Sequence, residues 1–190
     1  MTLAILGGTF NPVHFGHLYL AEEVRSQFHF DRIIFVPANI PVHKQIDSLI
    51  GAQHRLQMLK VATESYPELL VDDCELKRGG NSYTIDTVRE ILSRYHGVKN
   101  PGLIIGDDLL EDYSTWKEAT KLAAMVNLII AQRISPARKD MDIPCTYIEN
   151  TLLPVSSSQI RERISRGLSV RSLVPEEVIR YIESNELYSR

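Results

Sequence analysis

The chain has 190 residues, 44% hydrophobic and 24% charged, enough to bury one sizeable core but short for two independent ones. Its formal net charge of -3 argues against a nucleic-acid partner, which calls for a basic surplus, and leaves room only for a local basic pocket around a small phosphate ligand. No basic, apolar leader precedes the first strand and no run approaches the roughly eighteen apolar residues of a membrane helix, so a cytoplasmic chain without membrane attachment is expected.

The apolar run from Leu3 ends in Gly7-Gly8, passes a polar turn with Pro12 and restarts as an amphipathic segment near Gly16, which reads as strand, loop and helix. Paired glycines let a ligand approach the backbone, and the free N–H groups of a helix start favour anionic oxygens. His14 and His17 are three residues apart and share one face of the first helical turn, with Gly16 between them leaving access open, so both can meet one phosphate. Neither G-x-G-x-x-G nor G-x-x-x-x-G-K-[ST] occurs, and the remaining histidines and the two cysteines show no metal-ligand spacing. Helical spacing of Leu18, Ala21, Val24 and Phe28 predicts a helix over about 16–28. The unbroken run around Ile33-Ile34-Phe35-Val36 predicts a strand over 32–38, buried on both faces. The loop from Asn39 to Lys44 then falls at a carboxyl end, where open α/β sheets bind ligands.

A second helix is expected over 52–66, ended by Pro67, and a third strand over 69–73. Gly79-Gly80-Asn81 reads as a turn, and Thr84 as the N-cap of a helix reaching about Tyr95. A buried strand over 101–105 ends in Gly106-Asp107-Asp108, a helical stretch follows over 116–126, and a fifth strand over 127–132 delivers Arg133. Residues 134–142 read as a mobile loop and 146–148 as a last short strand. Ser156-Ser157-Ser158 opens a helix carrying Arg161. Pro175 stands at the first helical position of a final helix that ends near Leu187.

Alternating strands and helices indicate a doubly wound parallel sheet of Rossmann-like α/β type, a single domain over 1–190 with about 155–190 as its C-terminal helical part. Three motifs then carry a resemblance. Gly7, Gly8, Thr9, Phe10, Pro12, His14, Gly16 and His17 resemble the G-G-T-F-D-P-x-H-x-G-H signature of the HxGH nucleotidyltransferases, with Asn11 in place of the usual Asp. The string from Glu75 to Thr87 resembles the E-x-R-x-G-x-S-Y-T-x-D-T segment of bacterial nicotinate-nucleotide adenylyltransferases, and Val155 to Arg161 resembles I-S-S-T-x-I-R of the same superfamily, with Ser158 for Thr.

The resemblance implies adenylyl transfer from ATP to nicotinate mononucleotide, giving deamido-NAD and pyrophosphate, by direct in-line attack of the mononucleotide phosphate on the ATP α-phosphate. His14 and His17 are the implied catalytic residues. Gly8, Thr9, Phe10, Gly106, Asp108, Arg133, Ser157 and Arg161 are the implied ATP and phosphate contacts, and Asn39, Lys44, Tyr83, Thr84 and Trp116 the nicotinate-nucleotide contacts. Mg2+ is expected to arrive on ATP, no protein-held metal is expected, and a homo-oligomer is compatible with the sequence. Without the resemblance, Tyr83 and Thr84 read as cap and staple, Trp116 as core and Lys44 as a solvated loop charge. A phosphopantetheine adenylyltransferase, a nucleotide sensor without turnover and a fragment of a class I aminoacyl-tRNA synthetase are the competing readings. The S-Y-T segment with Trp116, the intact histidine pair, and the lack of both a lysine-rich second signature and a basic surplus count against them in turn.

Overall fold

The computed structural model describes residues 1–42, 50–132, 143–151 and 153–189. In chain order they form β1 (Leu3–Gly8), α1 (Phe15–Gln27), β2 (Arg32–Pro37), β3 (Ile40–Pro41), α2 (Ala52–Thr63), β4 (Leu69–Val71), α3 (Cys74–Arg78), β5 (Asn81–Ser82), α4 (Thr84–Arg94), β6 (Gly102–Gly106), α5 (Ala119–Met125), β7 (Asn127–Ala131), β8 (Cys145–Tyr147), α6 (Ser157–Ser165) and α7 (Glu176–Ser184). Two 3-10 turns, Asp107–Leu109 and Tyr113–Thr115, lie between β6 and α5.

Six strands make one parallel sheet in the order β4-β2-β1-β6-β7-β8. The chain builds outward from β1 to one edge, returns to the middle and builds outward from β6 to the other, so the order reverses between β1 and β6. Period-2 alternation divides each central strand between two apolar layers. Ala4, Leu6, Ile33 and Phe35 face α1, α2, α6 and α7, whereas Leu3, Ile5, Ile34 and Val36 face α4 and α5. This doubly wound α/β architecture leaves a crevice at the carboxyl ends of β1 and β6, where ligands bind in such sheets.

Several local expectations differ from the structure. Residues 40–41, read as loop, pair with Asn81, read as the end of a turn, and with Ser82 after it, as a second parallel sheet too short for any alternation to show. Helix α3 is also new: its five residues give no apolar stripe, and it starts where the Asp72 carboxylate accepts the Cys74 N–H at 2.9 Å. Thr84 is the first helical residue of α4 rather than its cap, because the Tyr83 carbonyl accepts the Asp86 and Thr87 N–H groups at 3.1 and 3.3 Å. The helix expected from Trp116 begins at Ala119, since Glu118 is held in the left-handed region at φ 52° by Arg89 and Lys121 on its carboxylate.

Pro175 caps α7 instead of opening it, its carbonyl taking the Val178 and Ile179 N–H groups at 3.1 and 3.0 Å. The same helix stops at Ser184, short of Leu187, as Glu186 and Tyr188 turn left-handed at φ 50° and 64°. Strand β8 is shifted one residue toward the N-terminus, although the Ile148 N–H still reaches the Ile130 carbonyl at 3.0 Å. The loop expected over 134–142 lies outside the described residues.

Candidate active site

The crevice between β1 and β6 opens into a cavity of about 700 Å3. Its walls come from three stretches far apart in sequence: the loop from Gly7 through His17, the α4 start at Ser82 and Thr84, and the segment from Leu153 through Arg161. Gly106, Asp108 and Trp116 after β6 complete the wall, with Gln132 and Asn150 beyond β7 and β8.

His14 ends the loop in extended conformation as the N-cap of α1, and His17 is one turn in. The rings lie 3.7 Å apart between centroids, and Phe10 braces His17 edge-on at 5.0 Å. The His14 backbone N–H donates to His17 Nδ1 at 3.2 Å. In the neutral ring that bond assigns the proton to Nε2, leaving His17 a donor on its far edge. Gly16 is required by packing. A Cβ there would stand 2.8 Å from Val155 Cγ1 and 3.0 Å from His14 Nδ1. Phe10 is left-handed at φ 51°, a strained state for an aromatic residue that only its surroundings can hold.

Those surroundings reach the loop from several elements. Ser157 Oγ, at the start of α6, donates to the Pro12 carbonyl at 2.8 Å, and Arg161 Nη1 donates to the Asn11 carbonyl at 2.9 Å. The helix start is itself capped by Ser156, which accepts the Gln159 N–H at 3.2 Å. Tyr188, beyond α7, donates its hydroxyl to Asn11 Oδ1 at 2.8 Å, and burial raises its pKa. Ser157 and Arg161 therefore both line the cavity and dock α6 on the loop.

Thr84, in the first turn of α4, also lines the cavity, as does Trp116, which is 6% exposed and packs 5.1 Å from Tyr113. Asn39 and Tyr83 stand beside the cavity rather than in its lining. The Asn39 N–H donates to Ser82 Oγ at 2.8 Å and its side chain to the Gly80 carbonyl at 2.9 Å, while the Tyr83 ring lies under the Lys117 ammonium at 4.8 Å. Lys44 and Arg133 lie outside the described residues. No cluster of three or more His, Cys, Asp or Glu side chains among the described residues is placed to hold a metal.

Some lining residues carry no signal that spacing alone would reveal. Buried Glu75 accepts the Thr87 hydroxyl at 2.5 Å, and Thr87 in turn accepts Arg78 at 3.0 Å, a chain that fixes a carboxylate beside Ser82 and Thr84. Asn150 accepts the Gln132 N–H at 3.0 Å and returns a bond to the Gln132 carbonyl at 3.0 Å, joining the ends of β7 and β8 at the cavity rim. Both pairs depend on contacts across elements.

Residues 5–163 match the family described as cytidylyltransferase-like. A protein of Borreliella burgdorferi named as a probable nicotinate-nucleotide adenylyltransferase is 43% identical over 99% of this chain and 97% of its own. A Dictyoglomus thermophilum protein of the same name is 37% identical over 99% of this chain and 100% of its own. Among solved structures, a nicotinic acid mononucleotide adenylyltransferase of Plasmodium falciparum complexed with NaAD superposes with a TM-score of 0.77 at 20% identity, covering 98% of this chain and 97% of that one.

Proposed function

The chain belongs to the cytidylyltransferase-like family and, within it, to the nicotinate-nucleotide adenylyltransferases, and on that premise we propose how its cavity joins nicotinate mononucleotide to the adenylyl group of ATP. The products are deamido-NAD and pyrophosphate, in the biosynthesis of NAD. One observation carries the residue-level reading: the H-x-G-H loop, the α4 start and the α6 start line a single cavity.

The mononucleotide phosphate is already a nucleophile at neutral pH, so no catalytic base is needed. The protein has to align that phosphate with the ATP α-phosphorus and stabilise charge growing on the α-phosphate and the departing pyrophosphate. His17 Nε2–H and His14 supply donors to the α-phosphate, and the backbone of Gly8, Thr9 and Phe10 takes the region between the reacting groups. Arg161, Ser157 and the α6 start hold the triphosphate, with Lys44 and Arg133 adding cations. Gly106 and Asp108 flank the ATP, Trp116 offers its face to the pyridine ring, and Thr84 with Tyr83 presents helix-start N–H groups to the nicotinate carboxylate. Asn39 supports that wall. Magnesium enters as the ATP complex.

We place the enzyme in the cytoplasm, acting on small molecules and not on nucleic acid, in keeping with its net charge of -3. Among the described residues no helix is long and apolar enough to cross a membrane. The reading is tested by incubating the protein with Mg-ATP and, separately, nicotinate mononucleotide, nicotinamide mononucleotide and phosphopantetheine, and following pyrophosphate. Nicotinate mononucleotide should be consumed fastest; turnover confined to phosphopantetheine would overturn it.

A further inference from the structure

Arg55 on α2 is 1% exposed and is the bulkiest of the fully buried side chains among the described residues. Its guanidinium donates to carbonyl oxygens drawn from separate parts of the chain. Nη1 reaches Thr9 at 2.9 Å and Ala38 at 2.6 Å, Nη2 reaches Asn39 at 3.3 Å, and Nε reaches Ile50 at 3.4 Å. No carboxylate of the described residues lies within ion-pair distance of it. A buried cation without an ion pair is costly, and backbone dipoles here take the place of the counter-charge. Burial lowers its pKa, with the Tyr188 and Glu75 side chains as weaker opposing influences.

We propose that Arg55 is a positioning residue for adenylyl transfer, holding the Thr9 carbonyl inward so that the next N–H, that of Phe10, is presented to the reacting phosphates. The inference rests on the function assigned above. In a trans peptide the N–H points opposite the C=O, and Asn11–Pro12 is the cis bond in this loop, so the Thr9–Phe10 unit obeys that rule. The bond from Arg55 thus sends the Phe10 N–H away from the protein interior, on the side where Gly8, Thr9 and Phe10 line the cavity. The left-handed φ of 51° at Phe10 is the backbone conformation this hold enforces. Through Ala38 and Asn39 the same guanidinium also ties the phosphate loop to the end of β2. Lysine cannot reproduce this hold, because a single ammonium lacks the rigid fork that spans separated carbonyls.

The test compares Arg55→Lys and Arg55→Met with the parent enzyme in kcat, in KM for ATP and for nicotinate mononucleotide, and in melting temperature. A donor aimed at developing charge acts on the transition state more than on the bound substrates. Arg55→Lys should therefore lose about tenfold or more in kcat with both KM values within about threefold. Unchanged kcat, within about twofold, in a folded Arg55→Lys enzyme would overturn the proposal, whatever the loss of stability. Should neither variant fold, the parent protein labelled with 15N-phenylalanine answers instead: the Phe10 amide resonance should shift on adding Mg-ATP, and an unmoved resonance in the ATP-saturated protein would overturn it. A parent protein that binds ATP but releases no pyrophosphate with any acceptor would sink the assigned reaction while leaving the Phe10 arm readable.

Discussion

At His17 the tautomer decides what the ring can do. With Nδ1 already accepting the His14 N–H, the ring is a donor at Nε2 only. Replacing His17 with Ala removes the donor proposed for the α-phosphate and should cost on the order of a hundredfold in kcat while ATP still binds. Single-turnover rates with bound ATP measure this directly, and near-normal turnover would remove the ring from the mechanism. The histidine pair and Gly16 are legible in the sequence because their roles are set within one helical turn. Arg55 is not legible: beside Leu56, Leu59 and Ala62 it reads as the polar edge of an amphipathic helix, and no local pattern announces carbonyls arriving from residues 9, 38 and 39.

At the scale of elements, the proposed site has the α4 start govern which pyridine nucleotide is accepted. The first N–H groups of this helix, which no side-chain cap takes among the described residues, suit a carboxylate, which only accepts, and would face the NH2 of a carboxamide donor to donor. Each mismatched buried group costs roughly 1 to 3 kcal/mol. Nicotinate mononucleotide should therefore have a kcat/KM at least about tenfold above nicotinamide mononucleotide, compared at saturating ATP. Equal or reversed preference would reject the carboxylate wall and leave the transfer chemistry standing. Beyond α7, Tyr188→Phe deletes one donor to Asn11 while keeping the ring. It should lower stability by about 1 kcal/mol, a melting shift of about 2 to 4 °C for a chain of this size, with a few-fold fall in kcat as the loop loosens. A calorimetric scan and one activity assay cover both. Long elements with strong apolar patterns are readable from the sequence, whereas β3, β5 and α3 are too short to carry a period: β3 and β5 are joined by Asn39 and Ser82 across the fold, and the Asp72 that starts α3 is held by Arg94.

For the whole molecule, the layered core sets which groups solvent can reach. Cys74 is fully buried, and its thiol is pushed up to about 12 by burial and by the nearby Asp72 carboxylate, leaving on the order of one thiolate in ten thousand at pH 8. Cys145, on edge strand β8, is partly exposed. A thiol reagent should label Cys145 alone in the native protein and Cys74 only on unfolding, as peptide mass mapping would read; equal labelling would contradict the packing around α3. The alternation of strands and helices predicts the parallel sheet, but not the return from β4 to β6 that puts the site in the middle of it. That return also has a consequence on the ribosome. The phosphate loop is made before Arg161 and Tyr188, which hold its Asn11 and follow 150 and 177 residues later. A nascent chain therefore carries the histidine pair without a finished nucleotide site until those downstream residues have been made and have folded back onto the loop.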